Sequence, residues 1–178
     1  GLKRFAGQLD EEFVRDLKGS RAQKVFLEME LNDSTCGSML FAVRNLCRRA
    51  TRRVEPGGPE LEHEEAAAFI EGCLDDMSRT WDETLMDILT MLRSGWAYME
   101  VVYKVRGGDV VDPTRSSRYD DGRYGWRKFA LRSPDSLQQW QHDPSGGLQG
   151  MVQRHPVTGA SIPIPIDKSL LFRPSSYK

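Results

Sequence analysis

The sequence lacks any run of about 18 apolar residues, so no segment of it reads as a membrane-spanning helix. Cysteine is scarce: Cys36, Cys47 and Cys73 are odd in number and widely spaced. A disulfide framework and a zinc ribbon are both poor readings of that pattern, and a reducing compartment is expected. The three histidines are scattered, without the H-x₃-H or H-E-x-x-H spacing of a zinc site. Neither G-x-x-x-x-G-K-[ST] nor G-x-G-x-x-G occurs, so no loop is spaced to converge backbone donors on a phosphate. The opening residues, Gly1-Leu2-Lys3-Arg4-Phe5, have neither the apolar stretch of a signal peptide nor a methionine, which suggests a piece of a longer product. Internal repeats and low-complexity tracts are missing as well.

What is present is ordinary globular composition. Of 178 residues, 39% are hydrophobic and 29% charged, enough to bury one core. The net charge of −1 argues against a protein that simply coats nucleic acid. That total hides a segregation. Residues 57–95 carry ten acidic and two basic side chains, net −8, while the rest of the chain is net +7.

Periodicity places helices first. Glu11–Lys18 predicts a short helix, and Val25–Leu31 a second, followed by the capping candidates Asn32-Asp33-Ser34-Thr35. From Ser38 to Arg52, Met39, Leu40, Val43, Leu46, Cys47 and Ala50 recur at helical spacing, with Arg44, Arg48, Arg49, Arg52 and Arg53 on the other side and at the end. Pro56-Gly57-Gly58-Pro59 ends that helix. Residues 63–79 and 81–93 predict two more helices, the first led by Glu60, Glu62, Glu64 and Glu65, the second capped by Thr80 with Glu83 as capping-box partner and stopped at Ser94-Gly95. Their short connection and matching stripes predict an antiparallel hairpin that buries Phe69, Ile70, Leu74, Leu85, Ile88 and Leu89.

The period then changes to two. Trp96–Val105 predicts a strand, followed by Trp126–Leu131, Leu137–His142, Met151–Arg154 and Leu170–Phe172, with a polar loop over 112–123 and turns at 143–147 and 156–159. Pro163 and Pro165 exclude a central strand over 162–166. The fold class is therefore α+β, with N-terminal helices followed by a small, mostly antiparallel sheet. We expect an N-terminal arm over 1–37 and one domain over 38–178.

Candidate chemistry is sparse. Cys36-Gly37-Ser38 is a fragment of a cysteine-protease signature, for which His142 or His155 would have to supply the base. Asp75-Asp76 point about 100° apart on a helix, and Asp120-Asp121-Gly122 matches no calcium loop, so no cofactor or metal is expected. The strongest polar feature is the run Arg44, Arg48, Arg49 and Arg52. It could touch phosphates as a small nucleic-acid-binding module, or pair with the acidic segment, which includes Glu64 and Glu65. The aromatics sit at apolar positions and read as core or interface anchors.

Several blocks in order carry a resemblance: R-R-V-E-P at 52–56, W-D-E-T-L-M-D-I-L-T-M-L-R-S-G-W-A-Y-M-E-V-V-Y-K at 81–104, S-R-Y-D-D-G-R-Y-G-W-R-K-F-A-L-R at 117–132, D-S-L-Q-Q-W at 135–140, G-G-L-Q-G-M-V-Q at 146–153 and I-P-I-D-K-S-L-L-F-R ending at Arg173. From about residue 10 to Lys178 the chain resembles the Mu-like portal proteins of tailed bacteriophages. The resemblance implies a structural, non-catalytic subunit of a ring, dodecameric in expectation, at one capsid vertex of the virion, assembled in the bacterial cytoplasm. It implies as partners further copies of the chain, the terminase large subunit, head–tail connector proteins, the major capsid protein and double-stranded DNA in the channel, with no membrane. It also implies that this is the N-terminal wing part of a longer portal. On that reading, Arg44, Arg48, Arg49, Arg52, Glu64 and Glu65 are the candidate subunit-interface or DNA-proximal residues, basic side chains of one copy meeting acidic ones of the next.

Overall fold

A computed structural model describes residues 14–174, together with the backbone of a short antiparallel hairpin, β1 (Lys3–Phe5) and β2 (Gln8–Asp10). Helices come next: α1 (Gly19–Asn32), α2 (Ser34–Arg48), α3 (Leu61–Asp75), α4 (Trp81–Ile88) and the single turn α5 (Met91–Ser94). Strands β3 (Ala97–Gly107), β4 (Asp120–Arg132), β5 (Leu137–His142), β6 (Leu148–Arg154), β7 (Ser161–Pro165) and β8 (Ser169–Phe172) complete the chain. They form two three-stranded sheets, ordered β4-β3-β8 and β5-β6-β7. The architecture is the expected α+β, helices before strands.

The chain divides into two compact units, neither a continuous stretch. The first holds residues 1–43, 88–100 and 131–178; the second holds 44–87 and 101–130. Strand β3 begins in one and ends in the other.

In the first unit, α1 packs on α5 and on the turn at Pro134–Ser136. Ala22 is buried, the Gln23 amide donates to the Ser94 carbonyl at 3.3 Å, and Arg93 pairs with Glu30 at 3.0 Å. The Asp33 carboxylate accepts from the amides of Thr35 and Cys36 at 2.8 and 2.9 Å and its own amide donates to the Met29 carbonyl at 3.0 Å, so one residue closes α1 with its backbone and caps α2 with its side chain. Gly95 stops α5 at φ 78°, a left-handed conformation that a residue with a Cβ rarely adopts, and its amide reaches back to the Met91 carbonyl. The core is Tyr98, Met151 and Ile164, ringed by Trp96, Leu137, Trp140, Ile166 and Leu171. Trp140 presents edge contacts to Trp96 and Tyr98, with centroids 5.0 and 5.6 Å apart, a favoured aromatic geometry. The Tyr98 hydroxyl donates to the Ile164 carbonyl at 2.9 Å, and burial pushes its pKa above the usual phenol range.

Residues 161–165 do form a strand, but at an edge. The register pairs Pro163 with Val152 and Pro165 with Gly150. The two prolines share one parity, so both missing donors fall on alternate positions of the outer strand. Across from them Gly150 is obligatory, because a Cβ there would lie 2.5 Å from the Ile164 carbonyl oxygen.

In the second unit, the capping box forms as the sequence predicts: the Glu83 carboxylate accepts from the Thr80 amide at 2.8 Å, and the Glu83 amide donates to the Thr80 hydroxyl at 3.2 Å. Ser78 donates both its amide and its hydroxyl to the Arg127 carbonyl, tying the connection after α3 to β4.

Several expectations change. The helix expected over 81–93 divides at Leu89-Thr90, where hydrogen bonds tighten to Leu92→Leu89 and Arg93→Thr90, both at 3.1 Å. The first of the two helices expected to pair, 63–79, ends earlier, at Asp75. Ile88 and Leu89 are buried within the first unit, while Phe69, Ile70, Leu74 and Leu85 are half-buried in the second. The apolar stripe of α2 is not a buried face either: Met39, Val43, Leu46 and Ala50 are exposed, and Cys36, Leu40, Arg44 and Cys47 form the half-buried side. Of the short helix expected over 11–18, Glu11–Phe13 lie outside the described residues, and Arg15–Leu17 form a 3₁₀ turn.

Candidate functional site

The arginine run begins on the last turns of α2 and continues along the extended segment after it. Arg48 grips Asp82 with two nitrogens, Nε to Oδ1 at 3.0 Å and Nη2 to Oδ2 at 2.7 Å. That bidentate pair lowers the Asp82 pKa and raises that of Arg48. Arg52 bonds Asp75 at 2.5 Å, and its guanidinium lies 5.5 Å from the centre of the Trp81 ring. Arg53 pairs with Glu55 at 3.3 Å, and Arg79 with Asp87. Arg44 is half-buried and engaged. Arg49, Glu64 and Glu65 are exposed and have no ion-pair partner among the described residues.

Two of the basic residues singled out in the sequence, Arg48 and Arg52, thus meet acidic residues of their own chain, and those are Asp82 and Asp75 rather than Glu64 and Glu65. An open cleft of about 330 Å³ lies beside Arg52, lined also by Asp75, Arg79, Thr80, Trp81 and Arg118.

Next to this surface lies a buried polar network that composition did not flag. The Lys104 ammonium donates to the Asp76 carboxylate at 3.0 Å and to the carbonyls of Asp76 and Ser116. Asp76 also accepts from the Ser117 hydroxyl at 2.6 Å and the Arg118 amide at 2.8 Å. Burial pushes the Asp76 carboxyl up, but the Ser117 hydroxyl, the Arg118 amide and Lys104 outweigh it and hold the group below the ordinary carboxylate range. Arg106 is buried too. It stacks between Phe69 and Tyr119, 4.8 and 3.8 Å from their centroids, and pairs with Asp121 at 2.9 Å. Tyr119 in turn lies close over Gly72, where a Cβ would meet its hydroxyl at 3.0 Å. The alternation of β3 carries the network: Tyr103 and Val105 are exposed, and Lys104 and Arg106 are buried on the opposite face.

The residues of the cysteine-hydrolase alternative are placed as follows. Cys36 is half-buried in the first turn of α2. His142 is exposed at the end of β5, and the Nδ1 of His155 accepts from the amides of Val157 and Thr158 within a turn. Among the described residues, no group of three or more His, Cys, Asp or Glu side chains could hold a metal ion, and no helix is long and apolar enough to cross a membrane.

Arg48, Arg52 and Lys104 are held in ion pairs, while exposed apolar and charged side chains remain on α2 and α3. No curated protein matches the chain. A family model, the portal protein of Mu bacteriophage, matches residues 23–178. That match takes in nearly all of the described structure, and the chain belongs to the Mu-like family of bacteriophage portal proteins.

Proposed function

We propose that this chain is a subunit of the ring at a capsid vertex through which phage DNA is packaged and ejected. The observation that carries the reading is the family match over residues 23–178. Portal proteins are structural components of the phage head, and the absence of sequence motifs for phosphate binding or metal chemistry is consistent with that role. In this reading residues 38–178 belong to the wing, copies of the chain close into a ring of about a dozen, and the ring docks the terminase large subunit, the head–tail connector and the major capsid protein. Arg44, Arg48, Arg49 and Arg52, with Glu64 and Glu65, lie at or near contacts between copies or to DNA. Exposure and opposite sign support this for Arg49, Glu64 and Glu65 in particular.

Electron microscopy of the complete gene product tests the proposal. Closed rings around a channel that passes duplex DNA are the expected result. A product that remains monomeric across concentration and salt would overturn it, as would a thiol probe that labels Cys36 only when His142 or His155 is intact.

A further inference from the structure

The outer side of α2 is built the wrong way round for a helix that serves only its own fold. Met39, Ala42, Val43 and Leu46 follow the i, i+3, i+4, i+7 spacing of one helix face, and all four are exposed; Met39 and Leu46 are 66% and 69% accessible. Arg49, three residues beyond Leu46, continues the same face and has no ion-pair partner among the described residues. Exposed apolar side chains in contiguous array are costly in water and mark a candidate contact surface, with the Arg49 cation at its end.

The same chain carries a matching surface on a different element. The first turns of α3 expose Leu61, at 68% accessible, and Ala68, with Glu65 between them on one face at spacings of four and three. Glu62, Glu64 and Glu65 are exposed there, again with no ion-pair partner among the described residues. Arg48 and Arg52 are committed to Asp82 and Asp75, so Arg49 is the cation of this run left to meet a separate carboxylate. In the next copy, α3 would offer apolar side chains to the apolar stripe of α2 and carboxylates to its cation.

We infer that the outward stripe of α2, Met39–Val43–Leu46 with Arg49, docks on the N-terminal half of α3, Leu61 with Glu64 and Glu65, of the next copy of this chain. The contact joins two unlike surfaces, so it repeats head to tail and closes into a ring at a fixed rotation per copy. It rests on the portal reading and specifies which surfaces of that ring meet.

The test uses the complete gene product, with wild type imaged first. Rings from wild type establish the portal reading independently of the surfaces involved; wild type that never assembles overturns both. A photo-crosslinking amino acid in place of Leu46 then reports the occupant directly. Crosslinks to residues 61–68 of another copy are expected. Crosslinks to residues 1–13 of the same chain, or to another protein of the phage head, overturn the inference while leaving the rings intact as evidence for the reading. The variant V43D/L46D should lose rings yet keep the circular dichroism of the folded subunit, since both positions are exposed; rings that persist overturn the inference. Arg49→Glu alone should weaken assembly and reverse its dependence on salt, and adding Glu65→Arg to the same chain should restore it. Failure of that restoration overturns the pairing of α2 with α3.

Discussion

Strand β3 runs through two unlike interiors. Its first residues, Ala97, Tyr98 and Met99, are completely buried among apolar side chains, and the core around Tyr98, Met151 and Ile164 is held by area and shape. Further along the same strand Lys104 and Arg106 are buried to within a few percent, and there the interior is held by charge: two carboxylates, two carbonyls and two aromatic faces. An apolar core tolerates approximate partners of the right volume. A buried ammonium tolerates only partners placed to within a hydrogen bond, since an unpaired charge there has no solvent to fall back on. The first unit is therefore the more forgiving of the two, and the second the more exacting.

The largest expected effect breaks that contrast outright. Asp76→Ala leaves the Lys104 ammonium buried and unpaired, and should lower stability by about 3–5 kcal/mol in denaturant unfolding. Combining it with Lys104→Met removes both charges and should recover much of the loss, as replacement of a buried pair by apolar groups often does. In the apolar core, Met151→Ala should cost about 2–5 kcal/mol through lost contact and a residual cavity, with no comparable rescue by a second truncation.

Acid sharpens the contrast further. Both Asp76 and the exposed turn residue Asp143 have lowered pKa values in the folded chain, Asp143 falling from 3.8 to about 2 because the Ser145 hydroxyl and the Gly147 amide donate to it. A depressed carboxyl contributes stability that is complete above its unfolded pKa and is lost as pH falls through its folded value. Unfolding midpoints should therefore hold level down to about pH 4 and fall below it. Asp76→Asn and Asp143→Asn should each flatten that fall. At the helix start, Thr80→Ala should cost about 1 kcal/mol by breaking the reciprocal cap with Glu83. The smallest effect is expected from Arg48→Ala: its bond to Asp82 is at the surface, and its loss should shift the unfolding midpoint least of all, and less still at high salt.

The sequence told these interiors apart unevenly. Strand β5 has the boundaries that its composition predicts, Leu137–His142, because turn residues bracket it on both sides. The Thr80–Glu83 cap and the Gly95 stop were legible for the same reason: they are local, and their chemistry is complete within a few residues. Burial of Lys104 and Arg106 was not, because the partners that permit it, Asp76, Ser116, Phe69 and Tyr119, lie between 12 and 37 positions away. The outward stripe of α2 misled for a related reason. Helical periodicity marks a face that leaves water without saying whether its own fold or another molecule covers it. For the candidate contact residues, sequence found the charges but not their assignments; Arg48 and Arg52 went to Asp82 and Asp75 because those carboxylates are nearer in space than Glu64 and Glu65.

The prolines of β7 have a consequence for crowding. A protein that must meet many copies of itself is at risk of sticking through its exposed strand edges before it finds the intended arrangement. Pro163 and Pro165 remove two amide donors from the outer strand of their sheet, on alternate positions. An incoming strand would find two alternate amide donors missing from that edge, which weakens any ladder built on it. Backbone adhesion is disfavoured at this edge, so a neighbouring chain gains more there from contacts made by side chains.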